Sequence, residues 1–277
     1  MAIRIGCGSW ADEDYVGLLY PKELPAKERL RAYATWFERV EVNASAYRTP
    51  LRSTVADWAR QTPPNFIFDI KLHRVFSADP HTSGQTDFVG KFVSAFEPLI
   101  AANKLGAFLL TLAPSFTPKA HRLEEIDVLA EKLQPHTLAV ELRNRAWVEA
   151  GQLESTLDHF RSRKLVWVAL DFPHLPSAKL IPPIDEVTNP NLAYLRLHGR
   201  NPNYLKAKSA AERHEHDYTA TELEEIAARI RSLAGRAENV HVSANNHAST
   251  YAPKAALALR QLLDQPVAAM PVPGGIT

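Results

Sequence analysis

Eight short apolar segments, most of them followed by a longer amphipathic one, succeed one another along this 277-residue chain. The strand-like segments are residues 3–8, 40–45, 66–73, 105–112, 137–143, 165–171, 193–198 and 240–245. Helical patterns occupy 25–38, the stretch after 49, 88–100, 120–133, 152–163, 221–234 and 253–263. Such alternation is typical of α/β proteins with a parallel sheet.

Eight strands without an internal linker predict a single (β/α)8 TIM barrel over residues 1–265 and a flexible tail at 266–277. A doubly wound open sheet has the same alternation and is the alternative. The proline-rich segment 172–192 reads as a loop, and long connections at 73–87 and 198–220 follow strands. Barrel enzymes place their functional residues at such strand ends.

The charge balance excludes a strong general attraction to nucleic acid or to an anionic membrane. Lys and Arg number 32 against 31 Asp and Glu, a formal net charge of +1. The single cysteine, Cys7, cannot form an internal disulfide, which fits a reducing compartment. The N-terminus has no signal-like apolar region, and the most apolar stretch, 107–113, is too short to span a bilayer. We expect a cytoplasmic protein without membrane contact.

Polar residues alternate with aliphatic ones on six of the strands, and the aliphatic set is expected to face the helices. The face expected to point inward then carries charges that a typical barrel lacks. They are the carboxylates Glu41, Asp69, Glu141 and Asp171 and the cations Lys71, Arg143 and Arg196. Buried charges are costly unless they are paired, so this near balance predicts a mutually neutralised network that opens at the C-terminal mouth of the barrel. A structural ion network without a ligand is the simpler alternative.

Several of these segments resemble the YecE-like family of TIM-barrel proteins, a domain-of-unknown-function family. The resemblance is carried by residues 6–10, 40–48, 66–71, 139–143 with Trp147, 171–173, 194–200 (YLRLHGR) and 245–253. It implies a TIM barrel whose polar mouth comprises Glu41, Asn43, Tyr47, Lys71, Glu141, Arg143, Asp171, Arg196, His198, Arg200, Asn245 and Asn246. It implies no reaction. Residues 6–10 and 43–47 depart from the commoner family strings in small residues, so the shape of the substrate site is expected to differ.

The leading hypothesis is an enzyme that binds an anionic small molecule at this mouth, with hydrolysis as the preferred reaction type. Arg196, Arg143 and Lys71 would hold a phosphate or carboxylate group. Proton transfer would fall to His198 or to a carboxylate, so the expected catalytic set is Glu41, Lys71, Glu141, Asp171 and His198. The expected substrate-binding set is Asn43, Tyr47, Arg143, Arg196, Arg200, Asn245, Asn246 and Tyr251. Because carboxylates flank Lys71, we expect a protonated amine rather than an imine-forming one.

Two other classes of function remain open. Glu141, Asp171 and His198 could hold a divalent metal, as in barrels of the xylose isomerase and endonuclease IV type, but neighbouring arginines would compete for the carboxylates, so a metal is not favoured. A non-catalytic barrel that binds nucleic acid or a protein partner has weak support from the net charge. The string Gly6-x-Gly8 lacks the following helix of a dinucleotide site. Residues 198–220 suggest a basic lid, with His214 and His216 solvated; the oligomeric state is not predicted.

Overall fold

The computed structural model describes residues 1–267 apart from Ala150, Pro176, His247 and Ala248. Eight strands form in this part of the chain. They are β1 (Ala2–Cys7), β2 (Arg39–Val42), β3 (Ile67–Lys71), β4 (Leu105–Thr111), β5 (Leu138–Glu141), β6 (Val166–Asp171), β7 (Ala193–Leu197) and β8 (Asn239–Ala244). Every predicted strand is therefore present, with its ends moved by up to three residues.

Ten α-helices lie between and after these strands in the described residues. They are α1 (Arg29–Trp36), α2 (Arg52–Gln61), α3 (Pro80–Gly84), α4 (Phe88–Ala95), α5 (Glu97–Ala101), α6 (Asp127–Leu133), α7 (Gln152–Ser162), α8 (Ala210–Arg213), α9 (Ala220–Ala234) and α10 (Tyr251–Leu262). The predicted helix 88–100 is divided into α4 and α5 at Phe96, two residues before Pro98, which lacks the amide hydrogen that an uninterrupted helix would use. The described part of 172–192 contains no helix, as expected for its prolines.

All strand pairs are parallel, in the order β1-β8-β7-β6-β5-β4-β3-β2. The sheet curls into a nearly closed barrel with the helices between successive strands, so the TIM-barrel prediction is confirmed and the open sheet is wrong. None of the described helices is both long enough and apolar enough to cross a membrane. Of the predicted tail, only Pro266 and Val267 lie within the described residues, and the Pro266 carbonyl accepts a hydrogen bond from Arg260.

The outer face of the barrel is covered because the helices present apolar side chains at helical spacing. On α9, Leu223, Ile226, Ile230 and Leu233 recur three or four positions apart and are all buried. This stripe packs against β7 and β8. Burial of one such side chain contributes about 1.5–3 kcal/mol to stability, so the helix layer fixes the barrel without using the inward-facing positions.

The seam of the barrel lies between β1 and β2, the two ends of the sheet order. Here a side-chain hydroxyl bridges two strands by hydrogen bonds, as backbone hydrogen bonds do between the other neighbouring strands. The hydroxyl of Tyr33 on α1 accepts a hydrogen bond from the Cys7 amide at 2.7 Å and donates to the Arg39 carbonyl at 3.0 Å. All three residues are buried, so this hydroxyl satisfies a donor on one strand and an acceptor on the other.

Removal of the hydroxyl with Tyr33→Phe is expected to destabilise the protein by about 1–3 kcal/mol, because it leaves the Cys7 amide and the Arg39 carbonyl buried without partners. Urea unfolding followed by circular dichroism measures the change. Tyr47→Phe, at a ring that is 71% exposed, is the matched control and should leave the midpoint unchanged. Equal midpoints for the two variants would contradict this role of Tyr33.

Candidate functional site

The lower layer of the barrel interior is organised by Arg39, which sequence analysis did not identify. Its Nε donates to Asp69 Oδ2 at 2.5 Å, its Nη1 donates to the Val242 carbonyl at 2.7 Å, and its Nη2 donates to the Tyr194 hydroxyl. His241 Nδ1 lies 2.9 Å from the same Asp69 oxygen. Burial raises the pKa of Asp69, but His241 and Arg39 outweigh it and hold that pKa below its usual value. The layer is thus an ionised, hydrogen-bonded network.

The upper layer is organised by Arg196, two residues later on β7 than Tyr194. Its Nη2 donates to Glu41 at 2.6 Å, its Nε donates to the same carboxylate at 3.0 Å, and its Nη1 donates to Glu141. Burial raises the pKa of Glu41, but Arg196 more than offsets this and lowers it to about 2. Tyr194 donates to Glu41 at 2.8 Å and so joins the two layers. Arg196 is 2% exposed and its donors are occupied by this chain's own acceptors.

Two asparagines and a glycine form one wall of the mouth. Asn43 donates to the Gly8 carbonyl and to Asn245 Oδ1, both at 3.0 Å, and Asn245 donates to Glu41 at 3.2 Å. A Cβ at position 8 would lie 2.1 Å from Asn245 Oδ1 and 2.4 Å from Asn43 Nδ2, so a larger residue would displace these two hydrogen-bonded amides.

His198 stands at the opposite side of the mouth. Its ring stacks on Phe172, with centroids 4.5 Å apart and planes 7° from parallel, and its Nε2 lies 3.2 Å from Arg196 Nη1. Burial and Arg196 lower the pKa of His198 to about 4, so the ring is neutral at pH 7. Its buried Nδ1 has no hydrogen-bond partner among the described residues.

The long connection after β7 covers this side of the mouth through His214. His214 Nδ1 lies 2.9 Å from the His198 carbonyl oxygen, and the two rings are 4.9 Å apart. His216 lies 3.0 Å from Glu222. Both histidines are half-buried, so the expectation that they are simply solvated is wrong. Lys206, on the same connection, is exposed.

Above the network lies a cavity of about 350 Å³, within the size range of small-ligand sites. Its walls combine residues that sequence analysis selected with residues that it did not. The lining residues are Gly8, Ser9, Asp12, Asn43, Ala44, Tyr47, Lys71, Arg143, Arg196, His198, His214 and Asn245. Glu41 and Glu141 lie fully buried beneath, bound to Arg196. The structure therefore brings together nine of the thirteen predicted site residues.

Asp171 does not belong to this group, and the register of β6 shows why. Leu170 pairs with Arg196 and Asp171 pairs with Leu197. Paired residues of neighbouring parallel strands face the same side of the sheet. Because Arg196 points inward, Leu170 does too, and Asp171 points toward the helices. The prediction that placed Asp171 inside the barrel is wrong, because the inward-facing set on β6 is shifted by one residue from the predicted one. Both faces of β6 are apolar apart from its last residue, so the sequence did not show which face points inward.

Asp171 instead holds helix α9 against the barrel. Its Oδ1 accepts hydrogen bonds from Arg229 at 2.8 Å and from Arg200 at 2.9 Å, and its Oδ2 accepts one from Tyr218 at 2.8 Å. Arg200 also binds Glu225 on α9 at 2.7 Å. The prediction of Asp171 and Arg200 as site residues is therefore wrong, since both belong to an ion network on the outer side of the barrel.

Two further predicted site residues lie outside the cavity. Asn246 donates to the His216 carbonyl at 2.9 Å and lines a separate hollow beside Asp12. Tyr251 begins helix α10, where the Lys254 ammonium lies 5.9 Å from its ring centroid. The sequence could not show that these two residues lie outside the mouth, because both follow the end of β8 within a few positions, as Asn245 does.

These corrections change the balance of the inward charges on β2, β3, β5 and β7. Without Asp171 and with Arg39, three inward carboxylates face four basic side chains, which are Arg39, Lys71, Arg143 and Arg196. His198 adds no charge at pH 7. The inward charges on and just after these strands therefore sum to +1, where the sequence predicted one surplus negative charge before the histidines. Arg4 on β1, which pairs with the inward-facing His241, adds a further cation, and Asp12 adds a carboxylate at the cavity.

Of these four basic side chains, Lys71 and Arg143 are the two that are only partly buried. Arg143 donates to Glu141 through Nε at 2.6 Å, and its two Nη groups have no hydrogen-bond partner among the described residues. Lys71 Nζ likewise has neither a hydrogen bond nor an ion pair within the described part of the chain. Burial and the guanidinium groups of Arg196 and Arg143 lower the pKa of Lys71 to about 8. The expectation that carboxylates dominate its surroundings is wrong, since Asp69 is bound to Arg39 below.

The metal alternative loses its expected ligands. Glu141, Asp171 and His198 do not converge, because Asp171 is on the outer face of the barrel. The Glu141 carboxylate is bound by two guanidinium groups. Within residues 1–267 as described, no group of three or more His, Cys, Asp or Glu side chains is arranged to hold a metal ion. His247, which the sequence placed near this set, lies outside the described residues.

Sequence reasoning missed Arg39 and Asp12 as site residues, and it assigned His214 to a solvated loop. Arg39 was detectable, because the inward alternation 41, 43 extends back to 39 on the same strand. Asp12 and His214 lie on loops, where no periodic signal exists.

Replacement of Arg39 by Met is expected to destabilise the protein by about 3–5 kcal/mol, because Asp69 and Glu41 would remain buried with less compensation. Urea unfolding at pH 7 measures this. Arg60→Met, at an exposed residue of α2, is the control and should change stability by less than about 0.5 kcal/mol. An Arg39→Met protein as stable as that control would show that the lower layer does not depend on this pairing.

Lys71→Met is expected to stabilise the protein at pH 7 by on the order of 1 kcal/mol, since the folded state holds this ammonium less readily than the unfolded chain does. The pKa of Lys71 falls from 10.5 to about 8 on folding. Between these values the unfolded wild type keeps the proton and the folded one loses it, so wild-type stability rises with pH there. The advantage of the variant should shrink from pH 8 to 10.5 in urea titrations. A constant difference would contradict the perturbed pKa.

Comparison with known proteins agrees with this architecture. The family model described as "Protein of unknown function DUF72" matches residues 4–275. The UPF0759 protein YunF of Bacillus subtilis (strain 168) is 26% identical over 273 residues, 95% of either chain. A DUF72 family protein of Enterococcus faecalis V583 is similar with a TM-score of 0.84 at 26% identity, covering 99% of this chain and 100% of that one.

A DUF72 family protein of Thermotoga maritima MSB8 is similar with a TM-score of 0.83 at 27% identity, over 96% of this chain and 100% of that one. The resemblance to the YecE-like family is consistent with these matches. Since the family model spans nearly the whole barrel, the chain belongs to the DUF72 family, whose function is unknown.

Proposed function

We propose that the mouth of the barrel is an active site for a small molecule that carries a phosphate or carboxylate group. The observation that carries this proposal is the pair of cations, Lys71 and Arg143, that line the cavity without using all of their donors. A guanidinium with two free Nη groups suits a planar or tetrahedral oxyanion. Two cations that keep unused donors in one partly closed cavity suit a single anionic group.

In this proposal Arg196 acts as a positioning residue rather than as the anion ligand. It is occupied by Glu41 and Glu141, and it fixes the depth and orientation of the floor. Asn43 and Asn245 offer amide groups at the wall, and the exposed ring of Tyr47 stands at the rim. These groups would select the uncharged part of the molecule.

His198 is the residue proposed to move protons. It lines the cavity, it is neutral at pH 7, and its ring orientation is fixed by stacking on Phe172. A neutral imidazole can accept a proton from a bound molecule or from water. Hydrolysis, the reaction type that the sequence favours, stays a prediction, as does the cytoplasmic location.

A nucleic-acid ligand is the weaker candidate. Binding to a nucleic acid backbone draws its affinity from contacts to several phosphates. The cavity is enclosed on one side by the His214 connection and has two available cations, which fits one anionic group better than a polymer.

Calorimetric titration with inorganic phosphate and with acetate at pH 7 tests the proposal. At least one of the two anions should bind, and Arg143→Gln and Lys71→Met should each weaken that binding by about ten- to a hundredfold, the usual effect of losing a charged hydrogen bond. Arg60→Gln and Lys91→Met are controls at exposed positions of α2 and α4 and should bind as the wild type does. Absence of binding by both anions, or equal effects of site and control variants, would overturn the proposal.

A further inference from the structure

Lys71, which is partly buried, differs from Lys104, the one fully buried lysine among the described residues. Lys104 is 5% exposed, and its ammonium donates to the Ala59 carbonyl, the Thr62 carbonyl and the Thr62 hydroxyl at 2.6–3.0 Å. That is the ordinary arrangement of a buried cation, which must be hydrogen-bonded. Lys71 Nζ has no such partner among the described residues, although the cavity that it lines is flanked by the carboxylates Glu41 and Glu141.

The surroundings explain why Lys71 is left free. Arg196 binds both carboxylates from within the barrel, and Arg143 takes the second oxygen of Glu141. The backbone of Lys71 is fixed, since its carbonyl accepts a hydrogen bond from the Ser45 hydroxyl at 2.6 Å and the residue pairs with Leu109 on β4. The amine is thus placed at the cavity by a rigid strand and is kept out of an ion pair by two competing guanidinium groups.

We propose that Lys71 forms a covalent imine with a carbonyl group of the substrate, and that Arg143 holds the anionic group next to that carbonyl. The inference rests on the proposed function and narrows the substrate class to a small aldehyde or ketone that carries an adjacent carboxylate or phosphate, of which a 2-oxo acid is the simplest example. A free amine beside a second cation is the arrangement that activates lysine as a nucleophile.

Imine formation releases one water molecule and needs no other reagent. The neutral amine attacks the carbonyl carbon, a C–N bond forms, and the C=O electron pair moves to oxygen, which takes up a proton. The resulting carbinolamine loses its hydroxyl group as water while nitrogen gives up its remaining proton, so that an imine forms and no oxidant or reductant is needed. His198, neutral at the same cavity, can carry the proton from nitrogen to the departing oxygen.

The electrostatics of the cavity support this step. Burial together with Arg196 and Arg143 lowers the pKa of Lys71 to about 8, so a useful fraction of the amine is neutral near pH 7 and about half is neutral at pH 8. An exposed lysine, with its usual pKa near 10.4, is almost wholly protonated there. Once protonated, the imine keeps the positive charge of Lys71 in the mouth.

Reductive trapping of the full-length protein with pyruvate and sodium borohydride tests the proposal. Reduction of an imine leaves a stable 1-carboxyethyl group, which peptide mass spectrometry locates. We expect this group on Lys71, at a yield at least tenfold above that on Lys104 and the exposed Lys91, and rising from pH 6.5 to 8.5. Because the readout compares lysines within the wild-type chain, it does not depend on the folding of a variant. An unmodified Lys71, or one modified no more than Lys91, would overturn the proposal.

Two further arms separate this inference from the proposed function. Because Arg143 also lowers the pKa of Lys71, Arg143→Gln should lower the yield with acetaldehyde, a neutral carbonyl compound, and should lower the yield with pyruvate at least tenfold more. Equal loss with both, or no loss with pyruvate, counts against the assigned role of Arg143. Phosphate and acetate titrations on the same preparation report the anion site alone. Anion binding that depends on Lys71, together with no trapped adduct, overturns the imine and leaves the proposed function standing. An adduct on Lys71 without anion binding supports the imine and overturns the anion site.

Discussion

The pairing of two buried guanidinium groups with three buried carboxylates is the interaction on which the barrel interior depends. Arg39 holds Asp69, and Arg196 holds Glu41 and Glu141. These groups occupy positions that a typical barrel fills with branched aliphatic residues. Removal of each ion from water costs several kcal/mol of free energy. Such an interior is stable only because nearly every charged oxygen and nitrogen has a hydrogen-bond or ion-pair partner. The same strands are therefore stabilised by ion pairs on their inward face and by burial of aliphatic side chains on their outward face.

The pairing also determines what remains available at the mouth. Since Arg196 takes up the carboxylates, Lys71 and the outer nitrogens of Arg143 keep their donors for another molecule. The network thus works as a support that fixes the floor of the cavity, and the proposed chemistry belongs to the residues that it leaves free. This division matches a general feature of enzymes, in which reacting groups are held in place by a surrounding shell of hydrogen bonds.

The comparison of prediction with structure shows where alternation is informative. On β2, β3, β5, β7 and β8, one face is aliphatic and the other polar, and the assignment of inward residues was right for Glu41, Asp69, Glu141 and Arg196. On β6 both faces are apolar apart from the terminal Asp171, so the polarity of the sequence could not fix the parity. The hydrogen-bonded register with β7 fixed it instead.

The sequence by itself determined the barrel, its strands and the polar character of its interior, because periodicity and hydrophobicity are local properties of the chain. The tertiary structure decided which charges pair and which remain free. Pairing depends on distances between residues up to about two hundred positions apart, such as Arg39 and the Val242 carbonyl, and these distances are set only when the barrel closes. The unused donors of Arg143 and the uncommitted amine of Lys71 follow from that closure, and no local pattern contains them.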